Sequence, residues 1–278
     1  MRISIEDVHF VYPGGVEALR GVSLSIEPGE RVAIVGQNGA GKTTLVKHLN
    51  GLLRPTRGRV RIGDWDTAQV EVHRLAQRVG YVFQNPDGQL FCRTVAEEVA
   101  FGPRNLGYTP EEISQRVAEA LALAELEDKA EANPYDLSPS WRKMVALASV
   151  IAMDTPIVIF DEPTTGQDVR TIRRIERMIE MLSQRGKTIL TITHDIDFCA
   201  ENFERVVVMG QGRVLLDGPK EMVLGMEAIL AQTYVEPPQL TRLGMRLGFE
   251  KTVCTSEQFL ETLRRRLDHP QSDPRAEG

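Results

Sequence analysis

Residues 36–43 read Gly36-Gln37-Asn38-Gly39-Ala40-Gly41-Lys42-Thr43, a G-x-x-x-x-G-K-T run that enters from the apolar stretch Val32 to Val35 and leads into a helical pattern, Thr44 to Leu49. These types at this spacing suit the holding of a phosphate chain. Glycines let successive N–H groups curl inward, and the N-terminus of the following helix adds partial positive charge where an anion sits. Lys42 is placed to pair with β- and γ-phosphates, and the Thr43 hydroxyl to ligate Mg²⁺. The plain alternative, a glycine-rich turn that holds nothing, does not account for the strand before it and the helix after it.

A second set of reactive groups ends a later strand. Ile157-Val158-Ile159-Phe160 runs into Asp161-Glu162, so two carboxylates emerge at the C-terminal edge, where open α/β sheets take their ligands. Asp161 suits Mg²⁺, through water, and Glu162 suits the polarising of an attacking water. The strand Thr188 to Ile192 ends in Thr193-His194-Asp195, and parallel strands ending together bring His194 towards the terminal phosphate. Gln84, after Gly80-Tyr81-Val82-Phe83, reaches the metal and the water from a third strand end. Without the phosphate loop, the carboxylates would read as solvated strand caps and the histidine as an ordinary surface or core residue.

Alternating and short apolar runs (Ile3 to Tyr12, Val22 to Ile26, Arg31 to Val35), broken by Pro13-Gly14-Gly15 and Pro28-Gly29, predict a β-rich start. Short strands at Arg59 to Ile62 and Val79 to Phe83 flank a helix. Residues 85–152 are mostly helical, with one helix at Glu111 to Ala124 started by Thr109-Pro110. Strands at 157–160, 188–192 and 205–209, with a helix from Val169 to Ser183, predict a largely parallel sheet with right-handed crossovers. From about Gly225 the pattern weakens, Pro237-Pro238 marks a break, and His269 to Gly278 reads as a disordered end.

Composition narrows the partners. The 278 residues suffice for one large α/β domain with an appendage, and a net charge of −6 without a long Lys/Arg run argues against nucleic acid. Cys92, Cys199 and Cys254 share no metal-ligand or CxxC spacing, which suits core residues in a reducing cytosol. Val145 to Phe160, interrupted by Asp154 and Pro156, falls short of the ~20 apolar residues of a membrane span. The first residues lack a signal peptide's apolar core. Any membrane role is therefore expected to come through a partner.

In this order the residues resemble the ATP-binding cassette ATPases, over about residues 1–224. Tyr12 matches the aromatic that stacks on adenine, residues 36–44 the ATP-binding loop, Gln84 its glutamine, Leu137-Ser138 the opening of the signature helix, Ile157 to Glu162 the acidic strand, Asp168 the D-loop residue and His194 the switch histidine. The resemblance implies an α/β P-loop NTPase fold of this type: a mixed or parallel sheet core, an antiparallel β subdomain, an inserted helical subdomain at about 85–152 and a C-terminal extension from 225. It implies ATP and Mg²⁺ as cofactors and ATP hydrolysis as the activity. The segment Val82 to Phe91 with Ala100 to Gly107, and Pro237-Pro238-Gln239-Leu240-Thr241-Arg242, resemble the energy-coupling-factor ATPases of vitamin and transition-metal importers. That implies a head-to-tail pair of ATPase subunits at the cytoplasmic face of the membrane, a transmembrane scaffold subunit and a substrate-binding membrane subunit, with the extension contributing to pairing.

One stretch departs from the pattern. The family signature begins Leu-Ser-Gly-Gly-Gln, whereas this chain has Leu137-Ser138-Pro139-Ser140-Trp141. In the family the segment binds the γ-phosphate held by the partner. Ser138, Pro139 and Ser140 would do so here with one N–H missing, because proline has none, and with the Trp141 ring close by. A pair of identical chains would carry this change in both sites, and a mixed pair in one, so a heterodimer is expected. The competing reading is a subunit that binds ATP to assemble and hydrolyses little. A soluble P-loop kinase or GTPase leaves Ser138, Asp168 and His194 unexplained.

Overall fold

Strands that are apolar on both faces need cover on both sides, and Ile157–Asp161 and Thr188–Ile192 are buried at every position. The computed structural model describes residues 1–268 and sets both runs inside a six-stranded sheet. In chain order the strands are β1 (Ile3–Val11), β2 (Glu17–Ile26), β3 (Arg31–Val35), β4 (Arg57–Ile62), β5 (Trp65–Asp66), β6 (Val79–Val82), β7 (Ile157–Asp161), β8 (Thr188–Ile192), β9 (Arg205–Gly210) and β10 (Arg213–Pro219). The sheet order is β10-β9-β3-β8-β7-β6, parallel except for β10 against β9. A second sheet, β2-β1-β4-β5, is antiparallel throughout. The expected mixed core with an antiparallel β subdomain is thus observed.

Alternation along the parallel strands divides the core in two. Val158 and Phe160 face a cluster with the large helices, whereas Ile157 and Ile159 face one with β1, β2, β4 and the helix after β3. The helices are α1 (Lys42–Leu49), α2 (Val72–Leu75), α3 (Val95–Asn105), α4 (Pro110–Ala124), α5 (Pro139–Ile151), α6 (Val169–Gln184), α7 (Ile196–Asn202), α8 (Lys220–Leu224), α9 (Glu227–Leu230), α10 (Gln239–Arg246) and α11 (Ser256–Asp268). Thr94 with Glu97 and Thr109 with Glu112 form capping boxes that start α3 and α4, and Pro110 occupies the first turn of α4 as expected.

Two expectations change. The helix foreseen between the strands at Arg59 and Val79 shrinks to the four residues of α2. The chain before it is taken up by β5 and by a turn in which Asp66 accepts the Ala68 N–H at 3.0 Å. Beyond Gly225, where the pattern weakens, Leu230, Val235 and Cys254 still join the main core cluster. Leu230 ends a four-residue helix and Val235 and Cys254 lie in loops, so no long period shows in the sequence. The expectation for His269 to Gly278 lies outside the described residues. Among the described residues no helix is long and apolar enough to cross a membrane.

Candidate functional site

Adjacent parallel strands deliver whatever follows them to one edge of the sheet. Beyond β3 comes the Gly36 to Thr43 loop, beyond β8 His194, beyond β7 Glu162 and beyond β6 Gln84. Strand order alone therefore gathers groups separated by more than a hundred residues in the chain.

The loop has glycine at three positive-φ points, and at two of them a Cβ would also clash. Gly36 has φ 144°, and a Cβ there would lie 2.1 Å from the Met209 carbonyl oxygen. Gly41, at the N-cap of α1, has φ 98°, and a Cβ would meet the Ala18 oxygen at 2.6 Å. The first turn of α1 carries no acidic residue, so its N–H groups and dipole are left for an outside anion. Lys42 is buried, and its ammonium donates to the Gly36 and Gln37 carbonyls at 2.7 and 3.0 Å. Burial lowers its pKa, opposed by the charges of Glu162 and Asp161. A buried cation resting on carbonyls beside an uncapped helix start fits a phosphate.

Asp161 lies against this loop. Its Oδ1 accepts the Thr43 hydroxyl at 3.4 Å and its Oδ2 the Tyr81 hydroxyl at 2.6 Å. Burial raises the Asp161 pKa, the Tyr81 bond lowers it and Glu162 raises it again, the net direction being upward. Burial likewise raises the Tyr81 phenol. Oxygen donors from Thr43 and Asp161, with the Gln84 amide, are of the hard kind that could hold Mg²⁺.

Glu162 adopts φ 48°, a strained value for a non-glycine residue, while its N–H donates to the Ile192 carbonyl at 2.9 Å. Its carboxylate is buried and accepts from His194 Nδ1 at 2.7 Å and from the Thr165 hydroxyl at 3.3 Å. A carboxylate only accepts, so Nδ1 carries the proton and Nε2 is left for another partner. Gln84 is exposed and lines the same cleft as Asn38, Glu162 and His194, whose volume is about 760 Å³.

Tyr12 stands beside the start of α1, with its hydroxyl 3.0 Å from Thr44 Oγ1 and its ring edge-on to Phe10. Asp168 is not drawn into this cleft: it caps α6 by accepting the Thr171 N–H at 2.7 Å, which lowers its pKa. Nor do Ser138, Pro139 and Ser140 line it. They open α5, where Ser138 holds the N-cap position without a side-chain cap bond. The Trp141 ring is taken up within the chain, under Lys129 Nζ at 4.3 Å and the Arg174 guanidinium at 4.7 Å from its centroid.

Sequence reasoning missed Lys143. It is fully buried in α5 and donates to the Phe83 and Gln84 carbonyls, each at 3.0 Å. Burial pushes its pKa down to about 8, against the raising influence of Asp161 and Glu162. Arg142, next to it, pairs with Asp87 at 2.7 Å, so α5 grips the Gln84 segment on both sides. A lysine beside the apolar run Met144 to Ile151 was the available signal. Also missed was the far wall of the cleft, which Tyr234, Pro237 and Arg242 supply from the extension.

Comparison with known proteins agrees with this geometry. The model of the family described as ABC transporter matches residues 19–165. An ABC transporter ATP-binding protein of Geobacter sulfurreducens is 44% identical over 85% of this chain and 94% of its own length. One of Caldanaerobacter subterraneus is 41% identical over 95% of this chain, which spans 46% of that relative. The energy-coupling factor transporter ATP-binding protein EcfA of Carboxydothermus hydrogenoformans is 40% identical over 94% of this chain and 97% of its own. Among solved structures, cbiO1 of Clostridium perfringens, described as part of the ABC transporter complex cbiONQ, superposes with a TM-score of 0.74 at 34% identity, covering 88% of this chain and 98% of that one. A dimeric ATP-binding cassette in a post-hydrolysis state with ADP and Pi gives 0.72 at 31% identity, over 78% and 98%.

Proposed function

The chain belongs to the ABC transporter family, and from that premise we propose that it is an ATP-hydrolysing subunit energising an energy-coupling-factor importer of a vitamin or transition-metal ion. The observation that carries hydrolysis is the buried Glu162 carboxylate held by His194 at 2.7 Å beside the phosphate loop. Similarity to EcfA over 94% of the chain, extension included, supports the importer type.

Lys42 and the loop N–H groups hold the β- and γ-phosphates of ATP, and Tyr12 faces the adenine. Thr43, Asp161 and Gln84 hold Mg²⁺, which when bound neutralises charge on the phosphate oxygens. Glu162 takes the proton of the attacking water, and His194 keeps that carboxylate in line. Ser138 and Ser140, with Asp168, serve the site of a second ATPase subunit. A mixed pair keeps one site with an intact signature, so a heterodimer is favoured, bound peripherally at the cytoplasmic face to a transmembrane scaffold and a substrate-binding membrane subunit.

Glu162→Gln in the assembled transporter tests this. Turnover is expected to fall about 10³-fold with ATP still bound, and transport to stop. The altered signature motivates a second reading, a subunit that binds ATP only to assemble. Transport unaffected by Glu162→Gln would establish that reading and overturn the first.

A further inference from the structure

Helix α7 follows His194 directly, and at seven residues it is too short to hold its own place. It presents two carboxylates four residues apart, Asp197 and Glu201, on one face. Each one ends at the start of a different helix of the extension. Asp197 Oδ1 accepts the N–H of Gln239, the first residue of α10, at 3.2 Å. α10 has Pro238 at its N-cap and no side-chain cap of its own. Glu201 Oε1 accepts the N–H and the hydroxyl of Ser256, the first residue of α11, at 2.9 and 3.0 Å.

Thr255 and Gln258 close a reciprocal cap at the start of α11. Thr255 Oγ1 accepts the Gln258 N–H at 3.2 Å, and Gln258 Oε1 accepts the Thr255 N–H at 3.3 Å. The Ser256 N–H lies outside that cap and goes to Glu201. Negative charge at a helix N-terminus is favourable, so both carboxylates sit where the dipoles of α10 and α11 hold them. Between these anchors α7 buries Phe198, Cys199 and Ala200, and Cys254 of the extension is buried too.

We propose that the C-terminal extension positions His194: α10 and α11 grip α7 at its two carboxylates, and α7 sets where the His194 imidazole meets Glu162. Asp197 and Glu201 are positioning residues, and the inference rests on the reading of His194 as part of the hydrolytic site. Whatever binds or displaces the extension then acts on hydrolysis without touching nucleotide.

Gln239→Pro is the cleanest probe. Proline is tolerated at a first helical position and Pro238 already has an extended backbone, so the change removes the N–H that Asp197 accepts and leaves α10 able to form. It is measured in the assembled transporter beside Asp197→Ala/Glu201→Ala and Asp197→Asn/Glu201→Gln, the last pair keeping an acceptor oxygen at each site. Expected is a kcat lowered about 10-fold by Gln239→Pro and by the alanine pair, with KM for ATP within about twofold of the parent, and recovery of most turnover in the amide pair. In nucleotide-free full-length chain, the ¹⁵N signal of His194 Nδ1, assigned with His194→Ala, is expected to shift in the first two variants and to hold in the third. Parent kcat and a parent His194 signal in Gln239→Pro overturn the proposal, as does a rise in KM alone. Failure of the underlying reading looks different, because His194→Ala would then turn over ATP normally.

Discussion

The sheet edge and the start of α5, the two regions proposed to face nucleotide, are built in opposite ways. Along the sheet edge, nearly every reactive group is held by its own chain: Lys42 by two carbonyls, Asp161 by Thr43 and Tyr81, Glu162 by His194 and Thr165. At the start of α5 the reverse holds. Among the described residues Ser138 makes no cap bond, and the Ser140 and Trp141 N–H groups donate to nothing. A half whose side chains are saturated is preorganised to hold a ligand, whereas the half at α5 offers only open backbone donors, like those at the start of α1, for a ligand to complete. The gap at Pro139 lies in that second half and leaves the first intact.

The sharpest way to break the comparison is at the saturated half. Gly36→Ala sets a Cβ against the Met209 carbonyl at 2.1 Å at a φ that side chains avoid, so a loss of about 3 kcal/mol is expected, or a loop displaced from the phosphates. Chemical denaturation and nucleotide titration check it, and an unaltered chain on both counts would show that the loop is not rigid. Pro139→Gly probes the open half by returning one N–H. ATPase activity of the isolated chain, as a homodimer, is expected to rise about 10-fold, a part of what one donor to a phosphate-like charge is worth. Stability should fall by at most about 1 kcal/mol, because glycine is a poor helix residue.

The smallest effect concerns the support beneath Trp141. Arg174 and Arg177 each bond Glu125 at 2.7 Å and hold its carboxyl down at about 2, below the ordinary 4.5. A depressed acid stabilises the fold above its unfolded pKa and loses that as pH falls through the folded one. With the carboxylate 40% exposed, Glu125→Gln should cost under about 1 kcal/mol at neutral pH. The difference from the parent should shrink between pH 4.5 and about 2 in thermal melts.

Much of the site is legible because its motifs are contiguous. Residues 36–43 carry their own turn, and Asp161-Glu162 and His194 each follow a β-branched run that can only be a covered strand. The fold's parallel half is legible for the same reason, whereas α2 is not, since the Asp66 turn displaces the periodic pattern. Lys143 escapes notice because a lysine in a helix ordinarily faces solvent. Its role depends on two carbonyls about 60 residues away that no local pattern points to.

Sequence alone therefore determined the phosphate loop, the identity of the acid and histidine that answer it, and the proline that interrupts the signature segment. These are properties of neighbouring residues, set by backbone freedom and side-chain chemistry. Tertiary structure decided the rest: that strand order puts His194 on Glu162, that Trp141 turns onto Lys129 and Arg174, and that the extension walls the cleft and caps its helices with Asp197 and Glu201. Hydrogen bonds between residues far apart in sequence form only once the sheet and its helices have packed, so they leave no period or motif in the chain.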